Sequence, residues 1–198
     1  MKPELLKTGR RAIVVTGTPG TGKTAVSKQL AHQIDAYYIS LTQFVIDKRL
    51  NHTIDRRRGT RVVNLERTKA RLRKVLSNEK RMTVVDTHIP DAVPRELVRS
   101  VIVLRCHPRV LELRLHRKGW SGSKIRENLL AEILDSCYVT AVNYHGARRT
   151  NQLDTSKVSL SKCVGQAKMV LTRPAAGKVR IDWIGVLNRE HNLRKYLG

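Results

Sequence analysis

The sequence predicts an α/β fold, a five-stranded parallel sheet with helices on both faces. Three observations predict it. Short apolar, β-branched runs recur along the chain with almost no charge inside them, as strands buried on both faces require. Stretches with apolar residues at helical spacing separate these runs, and that alternation builds parallel sheets. One run, Ala12-Ile13-Val14-Val15-Thr16, leads through a glycine-rich turn directly into a helical pattern. The 198 residues suit a single domain over 1–198 with small insertions.

The elements follow in order. After the strand at Ala12–Thr16, Ala25–Ile34 has helical spacing at Val26, Leu30, Ala31 and Ile34. Ala36–Ser40 reads as a second strand and Leu41–Leu50 as a short helix. Residues 51–61 read as irregular and contain Arg56-Arg57-Arg58-Gly59. Val62–Leu76 has the helical period at Val62, Leu65, Leu72, Val75 and Leu76. Met82–Asp86 is a third strand, and Val101–Leu104, within Leu97–Arg105, a fourth. Arg109–Arg117 is a helix broken by Gly119-Trp120-Ser121-Gly122, and Lys124–Ser136 is another. Tyr138–Asn143 reads as a short fifth strand and Ser159–Leu171 as a closing helix. The tail, 173–198, opens on a linker-like Arg-Pro-Ala-Ala-Gly and is basic. It either packs as a small terminal element or reaches for a partner.

The turn after the first strand is Gly17-Thr18-Pro19-Gly20-Thr21-Gly22-Lys23-Thr24. It matches G-x-x-x-x-G-K-[ST], the P-loop. Backbone N–H groups of such a loop point inward and cradle phosphate oxygens, and the following helix adds its positive end. Lys23 then reaches the β- and γ-phosphates, and the Thr24 hydroxyl sits on Mg²⁺. The pattern makes the chain a P-loop protein that binds a nucleoside triphosphate. A second acid fits the same site. Val84-Val85-Asp86 ends an apolar strand, where a Walker B carboxylate holds Mg²⁺ beside the P-loop hydroxyl. His88, two residues on, is placed to orient a water or a phosphate acceptor. Lys23, Asp86 and His88 are thus the candidate catalytic residues, and Thr24 and Asp86 the candidate metal ligands.

Thirty-nine Lys and Arg against 16 Asp and Glu give a formal charge of +23. Segment 48–81 carries 13 Lys or Arg against three acids. A small phosphorylated substrate needs a few cations, so this excess favours a polyanionic partner, most simply RNA; the alternative is a solvated basic surface. Cys106, Cys137 and Cys163 are far apart with no C-x-x-C spacing, which predicts buried free thiols and no zinc site. No apolar run approaches the ~18 residues of a membrane span, and the basic Met1–Arg11 leads into a strand instead of a signal-peptide core. The expectation is a cytoplasmic protein with no membrane partner.

GTPGTGKT with Val85-Asp86-Thr87-His88 resembles the adenylate-kinase-like P-loop family that doubles as a small-ribosomal-subunit assembly factor. Arg114-Leu115, Gly119, Lys124-Ile125, Glu127-Asn128 and Glu132-Ile133 resemble its lid helix. Tyr37-Tyr38-Ile39 and Asp55 resemble its nucleoside-monophosphate side, and Asn151-Gln152-Leu153 with Lys157 the loop that contacts the base. The resemblance covers residues 10–172. It implies an NMP-binding insertion at about 40–63, a short lid at about 117–127 and a basic C-terminal extension at about 173–198. It implies a broad-specificity nucleoside monophosphate (adenylate) kinase with Mg²⁺-dependent ATPase activity. It further implies small-subunit maturation in contact with a platform ribosomal protein and rRNA. By the same resemblance Gly20, Gly22, Lys23, Thr24 and Ala25 hold the ATP phosphates, Lys118 takes the lid position where the family has Arg, Trp120 replaces a Tyr, and Lys157 faces the base. Two other readings stand beside this one: an ATPase-only ribonucleoprotein switch, and a P-loop kinase of another small acceptor. The chain lacks the N-K-x-D base-reading motif of a GTPase and the Gly-Gly-Gly acceptor loop of a shikimate-type kinase.

Overall fold

The computed structural model describes residues 11–55, 60–172 and 180–197. Its centre is a five-stranded, all-parallel sheet in the order β2-β5-β1-β6-β7. The strands are β1 (Ala12–Gly17), β2 (Tyr37–Ser40), β5 (Thr83–Asp86), β6 (Val98–Arg105) and β7 (Thr150–Asp154). β3 (Asn51–Asp55) and β4 (Thr60–Val63) form a separate antiparallel pair. The helices are α1 (Lys23–Gln33), α2 (Leu41–Asp47), α3 (Leu65–Asn78), α4 (Pro108–His116), α5 (Gly122–Ile133), α6 (Ser136–His145), α7 (Leu160–Thr172), α8 (Trp183–Arg189) and α9 (Leu193–Leu197).

Alternation along β1 explains the layers. Val14 points with Val85, Val101 and Val103 into a core closed by Leu41, Leu72, Leu76 and Ala141. Ile13 and Val15 point the other way, into a core closed by Leu30, Ala31, Val164 and Ala167. Both faces of the central strands are therefore dry, and β1 has no exposed residue. A third apolar cluster joins Leu111, Leu115, Leu129 and Ile133 to Leu187 and Tyr196. The C-terminal helices α8 and α9 thus pack on α4 and α5. Between the two possibilities left by the sequence for the tail, its described part, 180–197, is the packed terminal element.

The sequence expectations need four corrections. Tyr138–Asn143 is not a strand but the middle of α6: Ala141 and His145 lie one turn apart and both are buried. The fifth strand is instead Thr150–Asp154, whose Asn and Gln disguise it. Asn151-Gln152-Leu153 is accordingly buried strand, not loop. Residues 51–55 and 60–63 are paired strands where irregular chain was expected, while Arg56-Arg57-Arg58-Gly59 lies outside the described residues. The helix expected from Val62 starts at Leu65, because Asn64 caps it by accepting the Arg67 N–H at 3.0 Å.

Candidate active site

Register brings the P-loop and Asp86 to one rim. β1 pairs with β5 so that Val15 stands opposite Asp86, and the Thr87 N–H donates to the Val15 carbonyl at 3.1 Å. β1 ends two residues later in Gly17, where the loop begins. The loop turns on glycines in the left-handed region, Gly20 at φ 94° and Gly22 at φ 96°. A side chain at Gly20 would also meet Leu111 Cδ1 at 2.7 Å, so the position is closed by packing as well as by backbone. Gly22 precedes α1 without a side-chain cap, and no acid stands in the first turn. The orphan N–H groups of α1 therefore face the rim, an arrangement that favours an anion.

The side chains converge there. Thr24 Oγ1 donates to Asp86 Oδ2 at 2.7 Å, and Tyr38 OH donates to the same oxygen at 3.3 Å. Asp86 is only 7% exposed. A carboxylate and a hydroxyl in contact are hard oxygen donors of the kind Mg²⁺ takes from a protein when phosphates supply the rest, so these residues fit that ion. Lys23 Nζ donates to the Thr18 carbonyl at 3.2 Å. Burial lowers the Lys23 pKa, opposed by Cys137 and Asp86 and reinforced by the charge of Lys118. Burial is also the first cause of the lowered His88 pKa, with the Lys23 charge second and Asp86 opposing. His88 is exposed, so the ring lies at the mouth of the site.

Beside the loop lies a cavity of about 410 Å³ lined by Gly20, Gly22, Ala25, Thr155 and the cations Arg114, Arg117 and Lys118. Arg114 is fixed by donating from Nη2 to the Thr155 carbonyl at 2.6 Å. Thr155 in turn donates to the Thr21 carbonyl at 3.0 Å, tying the loop after β7 to the P-loop. The structure thus gathers Gly20, Gly22, Lys23, Thr24, Ala25, Asp86, His88 and Lys118 around one rim. Lys157 is separate: it is exposed and lines a neighbouring hollow of about 660 Å³ with His107, Met169 and Trp183. That hollow is the larger, but no residue of the P-loop lines it, whereas Gly20, Thr21 and Gly22 line the smaller one. Cys137 departs from the expected buried thiol. It is half-buried beside the loop, 4.0 Å from the His88 carbonyl, whereas Cys106 and Cys163 are buried.

The resemblance placed Tyr38 on the monophosphate side and Arg114 in the lid helix; sequence reasoning missed the Tyr38–Asp86 contact, Thr155 and a buried network behind the loop. Glu132 and Arg105 are each 1% exposed and pair at 2.8 Å. Arg105 also donates to Gln152 Oε1 at 2.6 Å and to Asp135. Thr18 Oγ1 donates to Glu132 Oε2 at 2.6 Å. The only local signal was an acid at an apolar-facing position of a helix, and its partners are distant in sequence.

Known proteins share this architecture. Residues 13–135 match a family described as AAA domain. The chain is 31% identical over 172 residues to the "Putative adenylate kinase" of Pyrococcus abyssi, covering 86% of this chain and 90% of that one. It is 28% identical to the protein of the same name from Methanocaldococcus jannaschii, covering 86% and 92%. Among solved structures, a shikimate kinase from Acinetobacter baumannii in complex with shikimate superposes with a TM-score of 0.59 at 16% identity, covering 86% of this chain and 96% of that one. A gluconokinase from Sinorhizobium meliloti gives 0.53 at 21%, covering 85% and 95%. At such identities the two structures speak for the fold alone. A P-loop whose threonine touches a strand-end aspartate, in a chain matched nearly end to end by the archaeal relatives, places this protein in the adenylate-kinase-like family of P-loop kinases.

Proposed function

We propose that the chain is a nucleoside monophosphate kinase that transfers the γ-phosphoryl group of MgATP to AMP or a related nucleotide, and that hydrolyses ATP when no acceptor is bound. The contact between Thr24 Oγ1 and Asp86 Oδ2 at 2.7 Å, on the rim that Lys23 shares, is the observation that carries this reading. The relatives named adenylate kinases support the acceptor class.

Phosphoryl transfer asks a protein mainly for position and charge. In this reading the amides of Gly20, Gly22, Lys23, Thr24 and Ala25 bind the donor phosphates. Lys23 exchanges its bond to the Thr18 carbonyl for one to a phosphate oxygen. Thr24 and Asp86 would hold Mg²⁺, which, when bound, would neutralise charge on the phosphates. Tyr38 orients Asp86. His88, mostly neutral near pH 7, accepts a hydrogen bond from the attacking water or aligns an acceptor. We assign 117–127 as the lid. Lys118 is its cation for the phosphates, because it lines the cavity beside Gly20 and Gly22, and Arg117 lines it too. Residues 40–63 form the monophosphate side, and Lys157 approaches the base only if the loop carrying it closes.

A second reading, an ATP-driven step in ribonucleoprotein assembly, has one observation in its favour. Exposed Arg67, Arg71, Arg73 and Lys74 cover the outer face of α3, opposite buried Thr68, Leu72 and Leu76. In that reading the face meets rRNA or a ribosomal protein of the small-subunit platform. One experiment separates the two: turnover of MgATP with and without AMP, following ADP and free phosphate separately. ADP raised strongly by AMP without free phosphate supports the kinase. Phosphate released at the same rate regardless of AMP rejects it in favour of the ATPase.

A further inference from the structure

Glu132, on α5, is a buried junction between the P-loop and the C-terminal helices. Its Oε1 accepts three hydrogen bonds: from Arg105 Nε at 2.8 Å, from the Cys106 N–H at 3.0 Å and from Trp183 Nε1 at 2.9 Å. Its Oε2 accepts one, from Thr18 Oγ1 at 2.6 Å. Thr18 is the hinge of the loop. Its carbonyl accepts from the Thr21 N–H at 3.2 Å, from Thr21 Oγ1 at 2.8 Å and from Lys23 Nζ at 3.2 Å. Anything that fixes the Glu132 rotamer therefore fixes the carbonyl on which the loop turns.

Trp183 is the donor furthest from the loop in sequence, and it belongs to the terminal helix pair. It opens α8, which Asp182 caps by accepting the Gly185 N–H at 3.0 Å. The indole is 5% exposed. It stands edge-on to His107 at 5.3 Å between centroids, with the Arg105 guanidinium 6.0 Å from its ring. α8 and α9 are anchored independently, by Leu187 at 0% exposure and by Tyr196 OH and Lys195 Nζ donating to Glu112 Oε2 at 3.0 and 2.8 Å. The packing of these helices does not need the indole N–H. That bond instead completes the shell of a carboxylate whose other oxygen serves the loop.

We propose that Trp183 is a positioning residue for the P-loop: its N–H, through Glu132, holds Thr18 and so couples the docked C-terminal helices to phosphate binding. The proposal rests on the nucleotide reading above. Undocking α8, by a partner or by mutation, then loosens the loop, and a bound nucleotide reciprocally tightens α8.

The test is amide hydrogen exchange on the full chain without nucleotide, comparing wild type with Trp183→Phe, which keeps the aromatic volume and removes the donor. Exchange in the peptide covering 17–24 should quicken roughly 5- to 10-fold, with β5 and α3 unchanged. ADP affinity should fall by a similar factor, and combining Trp183→Phe with Thr18→Val should weaken it less than the two separate losses multiply to. Loop exchange equal to wild type while 183–197 exchanges faster would make the indole a terminal anchor only and overturn the proposal. Should Trp183→Phe fail to fold, reciprocity needs no variant: saturating ADP must slow exchange at Trp183–Leu187, and an unchanged rate overturns the coupling. A wild-type chain that does not bind ADP would refute the nucleotide reading instead, and the nucleotide-free comparison would still decide the coupling.

Discussion

Replacing Glu132 with alanine is the perturbation whose size the structure fixes best. The side chain is 1% exposed and pairs with an equally buried Arg105. Removal leaves the guanidinium with Gln152, the Glu132 carbonyl and half-buried Asp135, and it strips the acceptor from Thr18, Trp183 and the Cys106 N–H. Breaking a buried pair from one side costs about 3–5 kcal/mol, because the remaining charge stays desolvated. The second carboxylate, Asp135, sets the expectation at the low end, about 3 kcal/mol. For a chain of this length that is a fall of roughly 6–12 °C in Tm. Urea unfolding measures it directly, with an unchanged m-value showing that stability and not the unfolded state has moved. Glu132→Gln, which keeps the volume and one acceptor, should lose about 1–2 kcal/mol. Arg105→Met combined with Glu132→Leu should lose less than Glu132→Ala alone, since no charge is then stranded. A loss below about 1 kcal/mol for Glu132→Ala, the size of an ordinary substitution, would refute the buried junction.

Lys23→Met should lower ATP turnover at least ~100-fold, as loss of one charge-stabilising donor does, with Tm nearly unchanged; comparable turnover would remove Lys23 from the chemistry. Gly20→Ala meets Leu111 and Leu115 as well as an unfavourable φ, so it should cost about 2–4 kcal/mol, whereas Gly22→Ala, with open space around it, should cost about 1 kcal/mol; thermal melts of both check the contrast, and equal losses would contradict it. His145 is 2% exposed, its Nε2 contacts the Pro90 carbonyl at 2.8 Å, and burial holds its pKa below 6.5. The folded state thus favours the neutral ring: its contribution is complete above 6.5 and lost as pH falls through the lower folded value, so the urea midpoint should drop between about pH 8 and pH 5, and drop less in His145→Gln. His88→Ala should lower acceptor-free hydrolysis about 100-fold and transfer to AMP much less; equal losses would deny His88 a role in orienting water.

The P-loop was legible because its chemistry is local. Eight consecutive residues carry the turn, the amides, the lysine and the threonine hydroxyl. Asp86 was legible because a charge ending an uncharged strand has few other reasons to be there. Asn64 hid the start of α3, since a cap and a loop residue look alike until the helix is seen. The fifth strand failed for a physical reason. Val139, Ala141 and Val142 mimic a β-run, but one helical face of α6 packs on β6 and the helix wins. The true strand, β7, hides its polarity in the core, where Gln152 takes an N–H of Arg105. Thr18 and Glu132 are 114 residues apart, and no spacing rule spans that distance. Lys118 was reached through family likeness alone, and the structure sets it in the wall of the cavity beside the P-loop.

A buried glutamate touching a phosphate-binding loop looks self-defeating, since its charge should repel the ligand. The arrangement resolves this. Arg105 neutralises Glu132 at 2.8 Å from the side away from the loop, so a phosphate would sense a compensated pair whose field falls off faster than that of a single charge. What remains at short range is the acceptor strength of Oε2, roughly doubled by its charge, and that strength holds Thr18 in one rotamer. Asp86 is the opposite case. No cation of the chain pairs with it among the described residues; Thr24 and Tyr38 are neutral donors. In the proposed reaction that charge is the one left for a cation arriving with the nucleotide. The two carboxylates flank one loop with different duties, and the difference lies in which of them the protein has already neutralised. Arg105→Met should accordingly weaken ADP binding beyond its effect on stability, because it exposes the loop to an uncompensated Glu132. In the background of Glu132→Gln, Arg105→Met should have little further effect on ADP affinity. An equal loss in both backgrounds would show that Arg105 acts on the fold alone.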